Sequence, residues 1–169
     1  MANKLPLIVV TKSGILMIEI KRAKLLHAKE IHNLVNEAAK EHVMLPRALG
    51  DVYEHIRDFF VAVDENEKLV GCSSLSIAWL DLAEIRSLAI KKDYMNQKIG
   101  TQLVECCIND AKEQGIKKVF ALTYVVDFFK KCGFHEISKE ELPHKIWGVC
   151  INCPKFPDCD EQAVAIHLK

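Results

Sequence analysis

The stretch EIRSLAIKKDYMNQKIGTQLVECCINDAKEQG, residues 84–115, decides the fold of this chain. Residues 84–90 form a short apolar run with one arginine, which predicts a buried strand. Residues 100–114 carry apolar side chains at every fourth position, which predicts an amphipathic helix ended by Gly115. The polar loop 91–99 leads into the first turn of that helix. Unpaired N–H groups and the helix dipole favour anions there, so this connection is either an anion site, most often for phosphate, or an ordinary strand–loop–helix turn.

Length and composition predict one domain with its own core and exclude several classes of protein. The chain has 169 residues, and its 23 Lys and Arg balance 23 Asp and Glu. This balance argues against a nucleic-acid groove or a polybasic membrane surface. No apolar run is long enough to span a bilayer, and the N-terminal apolar segment lacks the flanks of a signal peptide. The seven cysteines are an odd number, and Cys106 and Cys107 lie inside a helical pattern, so we expect reduced thiols in a cytoplasmic protein.

Hydrophobic periodicity predicts a mixed α/β sheet in the order β-α-α-β-β-β-α-β-α-β. Residues 1–14 are either an extra edge strand or an extended arm before a domain at residues 15–169. The C-terminal loop of that domain, residues 143–161, contains cysteines. Strands are predicted at residues 16–21, 59–63, 69–77, 84–90, 119–122 and 163–168, and helices at residues 25–39, 51–57, 100–114 and 127–132.

Three phrases of the chain resemble the GCN5-related N-acetyltransferase (GNAT) superfamily. They are the strand–loop–helix at 84–115, LVGCSSL at 69–75, and FALTYVVDFFKKCGF at 120–134, which ends in a Gly-Phe pair. Within that superfamily the chain is similar to short-form amino-acid N-acetyltransferases, the stand-alone relatives of N-acetylglutamate synthase. This closer resemblance rests on LPRALGDVYEHIRDFFV at 45–61, AEIRSLAI at 83–90, and above all LPHKIWGVCINCPKFPDCDE at 142–161. It implies the superfamily fold in a single domain.

The resemblance implies that acetyl-CoA is the acetyl donor. In the superfamily, one sheet strand splays from its neighbour and binds the pantetheine arm, and the start of the next helix binds the pyrophosphate. The usual loop reads Arg/Gln-x-x-Gly-x-Gly/Ala, whereas MNQKIG at 95–100 keeps only the second glycine. Lys98 replaces the first glycine, which means either looser cofactor binding or an additional charge for the phosphates. The implied cofactor-binding residues are Leu88, Ala89, Ile90, Gln97, Lys98, Ile99, Gly100 and Thr101.

Two residues are candidates for proton transfer. An α-amino group has a pKa of about 8, so it is largely protonated at neutral pH and needs a base. Glu84 is that candidate, because N-acetylglutamate synthases also carry a glutamate at the start of this strand; alternatively it is an exposed carboxylate or pairs with Arg86. The usual tyrosine that protonates the departing thiolate is replaced by Phe129. Tyr124 is the nearest phenol, unless it only caps its strand and water supplies the proton.

An acidic amino acid presents two carboxylates, for which arginine is the best partner. Arg47 lies between the first two predicted helices, where the superfamily builds acceptor pockets. Arg86 shares a strand face with Glu84 because strand side chains alternate, whereas Arg57 fits a surface position. The predicted acceptor-binding residues are Arg47, Arg86, Ser87 and Lys145.

Three cysteines near the C-terminus leave a metal site open. Cys150 and Cys153 have the C-x2-C spacing of a first zinc-ligand pair, and Cys159 adds a third thiol. The fourth ligand would have to be His144, Asp160 or a distant thiol such as Cys132. Packed or redox-sensitive thiols are the alternative, and no metal is assigned.

The sequence therefore predicts an acetyl-CoA-dependent N-acetyltransferase for the α-amine of a small acidic amino acid. L-Glutamate is the first candidate, which would make N-acetylglutamate for arginine biosynthesis by direct transfer in a ternary complex. Glutamine, aspartate or another small amine remains an alternative acceptor. Other classes remain open: a non-catalytic acetyl-CoA sensor, motivated by Lys98 and Phe129, and an interaction module built on the cysteine loop. A homodimer is possible on this interpretation.

Overall fold

The computed structural model describes residues 7–11, 14–151 and 155–169 of the chain. These residues form one eight-stranded sheet in the order β1-β2-β3-β4-β5-β6-β8-β7. The strands are β1 (Leu7–Thr11), β2 (Gly14–Arg22), β3 (Phe59–Val63), β4 (Leu69–Trp79), β5 (Leu82–Ile90), β6 (Lys118–Thr123), β7 (His135–Ile137) and β8 (Gln162–His167). The helices are α1 (Ala28–Lys40), α2 (Leu49–Glu54), α3 (Ile99–Glu113), α4 (Val126–Lys131) and α5 (His144–Cys150).

The parallel pair β5 and β6 forms the centre of the sheet, and α3 is its crossover helix. The two strands pair over only three residues, from Leu82 opposite Lys118 to Glu84 opposite Phe120. Beyond Glu84 they separate, while β5 stays paired with β4 and β6 stays paired with β8. The sheet therefore opens into a gap, at the place where the resemblance implies one.

The sheet is covered on both faces, so its central strands have few exposed side chains. On one face α3 buries Leu103 and Cys107 against the sheet. On the other face α1 and α2 bury Val35 and Val52 against β3, all five of whose residues are buried. Each fully buried aliphatic side chain contributes about 2 kcal/mol of transfer free energy. The two helical layers are therefore held firmly against the sheet, and they fix the strands that flank the gap.

The predicted fold class is confirmed, and each predicted element within 16–168 is present with its ends shifted by a few residues. β7 and α5 were not predicted. β7 has three residues, too few for a period of two to be read, and α5 occupies residues 144–150 of the segment interpreted as a loop. Residues 7–11 form the outer strand, paired with β2. Every helix in the described parts of the chain is too short or too polar to span a bilayer.

Candidate active site

A bulge in β5 lies at the mouth of the gap. Two residues of β5, Ser87 and Leu88, stand opposite the single residue Ser73 of β4. Ser87 has a φ of 54°, in the left-handed region that a residue with a side chain rarely adopts. Such strain costs on the order of 1 kcal/mol and persists where the surrounding structure enforces it, often at functional sites.

The bulge reverses the alternation of side chains along β5. Ile85 before the bulge and Ile90 after it both pack towards α3, although five positions separate them. Ala89 packs towards α1 and α2. Glu84 and Arg86, which alternate with Ile85, therefore share the face of the sheet that α1 and α2 cover, as strand periodicity predicted for this pair.

Glu84 is a mostly buried carboxylate at the point where β5 leaves β6. Its side chain is 19% exposed, and its Oε2 lies 3.8 Å from Nε of Arg86. Burial raises the pKa of Glu84 to about 7, because the attraction of Arg86 and Arg47 does not offset the lost hydration and Glu161 adds repulsion. A carboxyl group with this pKa exchanges a proton readily at neutral pH.

Arg47 is a buried cation at the edge of the gap, and its guanidinium nitrogens differ in their partners. Its side chain is 6% exposed, and its Nε lies 2.5 Å from Oδ2 of Asp51. Its Nη1 donates to Oγ of Ser87 at 3.2 Å. Its Nη2 is buried without a hydrogen-bond partner among the described residues. A buried donor without a partner is costly, so this nitrogen is an available site for an anionic ligand.

The position of Arg47 is set by α1 and α2. The side-chain amide of Asn36 donates to the carbonyl oxygen of Arg47 at 2.9 Å and accepts from its N–H at 3.3 Å. Asp51 binds the guanidinium from the first turn of α2. Burial alone would raise the pKa of Asp51, but the hydrogen bond with Arg47 and the attraction of Arg47 and other nearby cations together outweigh that effect, so the pKa is lowered. Asp51 is therefore an anion that orients Arg47.

The start of α3 keeps the backbone of a glycine-rich loop without its first glycine. Asn96 and Lys98 have φ values of 61° and 63°. Lys98 therefore adopts the left-handed conformation for which glycine is usual, at a cost of about 1–2 kcal/mol. A Cβ at Gly100 would lie 3.3 Å from Cζ of Phe128, so this glycine permits α4 to pack against the first turn of α3. The N–H groups of that turn are the backbone donors that a pyrophosphate requires.

Tyr124 follows β6 and is bound to the C-terminal segment. Its hydroxyl donates to Oδ1 of Asp160 at 2.6 Å and accepts a hydrogen bond from Lys155. Burial and the hydrogen bond with Asp160 raise the pKa of Tyr124. The alternative position, Phe129, is buried in the α3-side core and presents no polar group.

Sequence reasoning missed Glu161, which lies just before β8. Glu161 is 8% exposed, and burial raises its pKa. The thiol of Cys159 lies 3.8 Å from its Oε2. Its repulsion is one of the causes that raise the pKa of Glu84. Nothing in the acidic sequence around residues 158–161 distinguishes this carboxylate, because its burial depends on how β8 pairs with β6.

Two predicted features fall partly outside the described structure. Cys153 lies outside the described residues, and so does the side chain of Lys145 in α5. Cys150 and Cys159 are both half-buried. Among the residues that are described, no group of three or more His, Cys, Asp or Glu side chains could hold a metal ion.

Comparison with known proteins identifies the family of this chain. Residues 28–134 match the acetyltransferase (GNAT) family. The chain is 43% identical over 149 residues to an uncharacterized N-acetyltransferase of Chlorobaculum tepidum, with 88% of this chain and 96% of that protein covered. It is 33% identical over 121 residues to an amino-acid acetyltransferase of Mycobacterium tuberculosis, with 70% and 69% covered. The chain therefore belongs to the GNAT family of acetyltransferases.

A solved structure shows the same fold. The N-acetylglutamate synthase of Neisseria gonorrhoeae, complexed with coenzyme A and N-acetyl-glutamate, superposes with a TM-score of 0.78 at 23% identity. The match covers 90% of this chain and 35% of that longer one. Membership of the GNAT family makes this protein an acetyltransferase with acetyl-CoA as its acetyl donor. The solved structure confirms the single-domain GNAT fold predicted from the sequence.

Proposed function

We propose that this enzyme acetylates the α-amine of a small acidic amino acid, L-glutamate in the first place. The product would be N-acetylglutamate, formed in the first step of arginine biosynthesis by direct transfer in a ternary complex. The observation that carries the proposal is the buried Nη2 of Arg47, which has no hydrogen-bond partner within the described parts of the chain and lies on the same face of the sheet as Glu84. The names of the Mycobacterium tuberculosis relative and of the Neisseria gonorrhoeae structure support an amino-acid acceptor.

Glu84 acts as the general base in this proposal. With a pKa of about 7, it accepts a proton from the ammonium form of the acceptor, directly or through one water. The neutral amine then attacks the thioester carbonyl carbon, and coenzyme A thiolate departs. Because the base and the α-amine have pKa values within about one unit, the proton transfer has little energetic cost.

Arginine side chains recognise the two carboxylates. Arg47 offers Nη2 from a fixed position, so it suits the α-carboxylate, which every amino-acid acceptor carries. Arg86, which is 35% exposed, reaches the outer part of the site and suits the second carboxylate. Ser87 lies between them, with its hydroxyl already bound to Arg47. Lys145 is retained as a further candidate for the outer carboxylate.

The donor side uses backbone groups. In this proposal the N–H groups of residues 97–101 bind the pyrophosphate, and the backbone of residues 88–90 binds the pantetheine arm along the gap. Tyr124 is the candidate acid for the departing thiolate. Its proton is directed to Asp160 and Lys155 binds its oxygen, so proton donation would require this local network to rearrange.

The test is release of coenzyme A thiol from acetyl-CoA with single amino acids at saturating concentration. Reactions without an acceptor give the background from the protein's own cysteines. Turnover that is highest with glutamate supports the proposal. Turnover that is highest with glutamine or a non-acidic amino acid would show that the acceptor is that amino acid and not glutamate. If the protein binds acetyl-CoA but acetylates none of the amines, it is instead a non-catalytic acetyl-CoA sensor.

A further inference from the structure

Three consecutive small polar residues of β4 lie opposite the bulge in β5. Cys72, Ser73 and Ser74 are all fully buried, so each needs a hydrogen-bond partner. The Cys72 thiol donates to the carbonyl oxygen of Ser87 at 3.5 Å. The Ser74 hydroxyl donates to the carbonyl oxygen of Arg86 at 3.1 Å. Side chains of β4 thus hold two successive carbonyl groups of the bulge.

These two bonds determine where the neighbouring N–H groups point. A trans peptide is planar, and its N–H points opposite to its C=O. Because the carbonyls of Arg86 and Ser87 both turn towards β4, the N–H groups of Ser87 and Leu88 both turn away from it, towards the gap. In a regular strand, successive N–H groups alternate, and the left-handed φ of Ser87 breaks that alternation. Two neighbouring N–H groups that point in the same direction form a concavity that binds anions.

We propose that Cys72 and Ser74 are positioning residues for acetyl transfer. They hold the bulge so that the N–H groups of Ser87 and Leu88 meet the thioester oxygen as negative charge develops on it. The inference rests on the acetyl-transfer chemistry of the family and does not depend on which amine is the acceptor.

Electrons and protons balance without any change in Cys72 or Ser74. The amine lone pair forms the new N–C bond, and the carbonyl π electrons move onto the oxygen facing the two N–H groups. That electron pair then re-forms the carbonyl, the C–S bond breaks, and the pair leaves on coenzyme A sulfur. The proton that the attacking nitrogen loses passes to the departing sulfur, because the base already holds the proton of the ammonium group. Burial raises the pKa of the Cys72 thiol to about 12, so it remains a protonated donor throughout.

Cys107 of α3 provides a matched control. Its thiol is as deeply buried as that of Cys72, and burial likewise raises its pKa to about 12. Its sulfur contacts Oγ of Ser73 at 3.7 Å, from the opposite face of β4. If the Cys72 thiol served packing alone, loss of either thiol would have the same consequence. The proposal separates the two, because only the Cys72 thiol binds a bulge carbonyl.

The first experiment compares steady-state kinetics, with any acceptor that turns over, in Cys72→Ala, Ser74→Ala, Cys72→Ser and Cys107→Ala. We expect kcat to fall roughly 10- to 100-fold in Cys72→Ala and Ser74→Ala, with KM for acetyl-CoA changed less than about threefold, since a donor aimed at an oxyanion acts mainly in the transition state. Cys72→Ser keeps a donor and should recover most of kcat. Equal losses in Cys72→Ala and Cys107→Ala, or no rescue by serine, would overturn the proposal.

The second experiment needs no acceptor, so it separates this inference from the proposed function. Isothermal titration compares the dissociation constants of acetyl-CoA and coenzyme A. We expect the wild-type protein to prefer acetyl-CoA about fivefold, the contribution of one hydrogen bond to the acetyl oxygen. The Cys72→Ala/Ser74→Ala double variant should lose that preference, and Cys107→Ala should keep it. If the wild-type protein bound acetyl-CoA and coenzyme A equally well, or if the double variant kept the wild-type preference, the N–H groups of the bulge would not contact the acetyl oxygen.

Discussion

The two sides of the site are built from different parts of the chain's chemistry. The proposed donor side, at the start of α3, would bind through backbone N–H groups, and Lys98 there keeps a left-handed φ where glycine is usual. The proposed acceptor side is built from side chains: Glu84 and Arg47 are mostly buried, and Asp51 pairs with Arg47. A backbone site tolerates a change of residue as long as the conformation survives. A side-chain site fails when a single group is lost.

The largest expected effect is on the acceptor side, at Glu84. We expect Glu84→Gln to lower kcat/KM by about 10²- to 10⁴-fold, because it removes the base. Wild-type kcat/KM should rise with pH through about 7, as the carboxyl group loses its proton, and that inflection should be missing from the variant. A pH–rate profile measures both. Glu19→Gln, on an exposed stretch of β2, is the control. An inflection retained in Glu84→Gln would assign the base to another group.

Glu84→Gln should lower activity but raise the free energy of unfolding at alkaline pH. The folded-state pKa of Glu84 lies above its ordinary value of 4.5, so the folded protein binds the proton more tightly than the unfolded chain. Wild-type stability is therefore lost as pH rises from about 4.5 to about 7. Glu84→Gln avoids this loss and should be the more stable protein at pH 8, by up to about 3 kcal/mol. Urea unfolding at pH 5 and pH 8 tests this expectation.

Arg47 is expected to rank second. Arg47→Ala removes the nitrogen proposed for the α-carboxylate and leaves Asp51 without its cation. We expect KM for the amino acid to rise on the order of 100-fold, the loss of a charge-assisted hydrogen bond, while KM for acetyl-CoA changes little. Arg57→Ala is the matched control, because that arginine is exposed. Parallel changes in both Michaelis constants would show that Arg47 supports the whole site and does not recognise the acceptor.

On the donor side, Gly100 should show a smaller effect. A methyl group there meets the Phe128 ring at 3.3 Å, which displaces either the ring or the first turn of α3. We expect Gly100→Ala to weaken acetyl-CoA binding about tenfold, without changing KM for the amino acid beyond twofold. The control is Gly50→Ala in α2, where an added Cβ has no atom within 4 Å. Unchanged affinity in Gly100→Ala would place the pyrophosphate elsewhere.

Lys98 should show the smallest effect, and its replacement distinguishes backbone binding of the pyrophosphate from binding by a side-chain charge. Lys98→Gly preserves the left-handed backbone and removes the charge. If backbone N–H groups bind the pyrophosphate, affinity for acetyl-CoA should change less than about threefold, and the folded state should gain about 1 kcal/mol from relief of strain. Titration calorimetry and thermal unfolding give the two quantities. The opposite result would be a tenfold loss of affinity in Lys98→Gly, matched by a similar loss in the wild-type protein at high salt. That result would show that the lysine charge binds the phosphates.

Much of the fold followed from local patterns. The apolar run of β5 and the four-residue spacing in α3 predicted the central crossover, because helix and strand periods are set by backbone geometry alone. The same argument placed Glu84 and Arg86 on one face. It could not foresee that Ala89 shares that face, because a bulge adds one residue and depends on pairing with β4.

The candidate site was less accessible to prediction from the sequence. Residue type indicated an arginine for a carboxylate, but the contact of Arg47 with Ser87 joins positions forty residues apart in the chain. The pKa of Glu84 depends on burial contributed by several elements and on the repulsion of Glu161. The partners of Cys72 and Ser74 were invisible too, since small residues in a strand predict only close packing.

The sequence by itself determined the order of every helix and strand except β1, β7 and α5. It also determined the family resemblance and the residue types suited to acetyl transfer, because these depend on local periodicity and on chemical identity. The tertiary structure decided which charges are buried together, how far β5 departs from β6, and which carbonyls the bulge turns towards β4. Those properties depend on distances between segments far apart in the chain, and such distances exist only once the sheet and its two helical layers have packed.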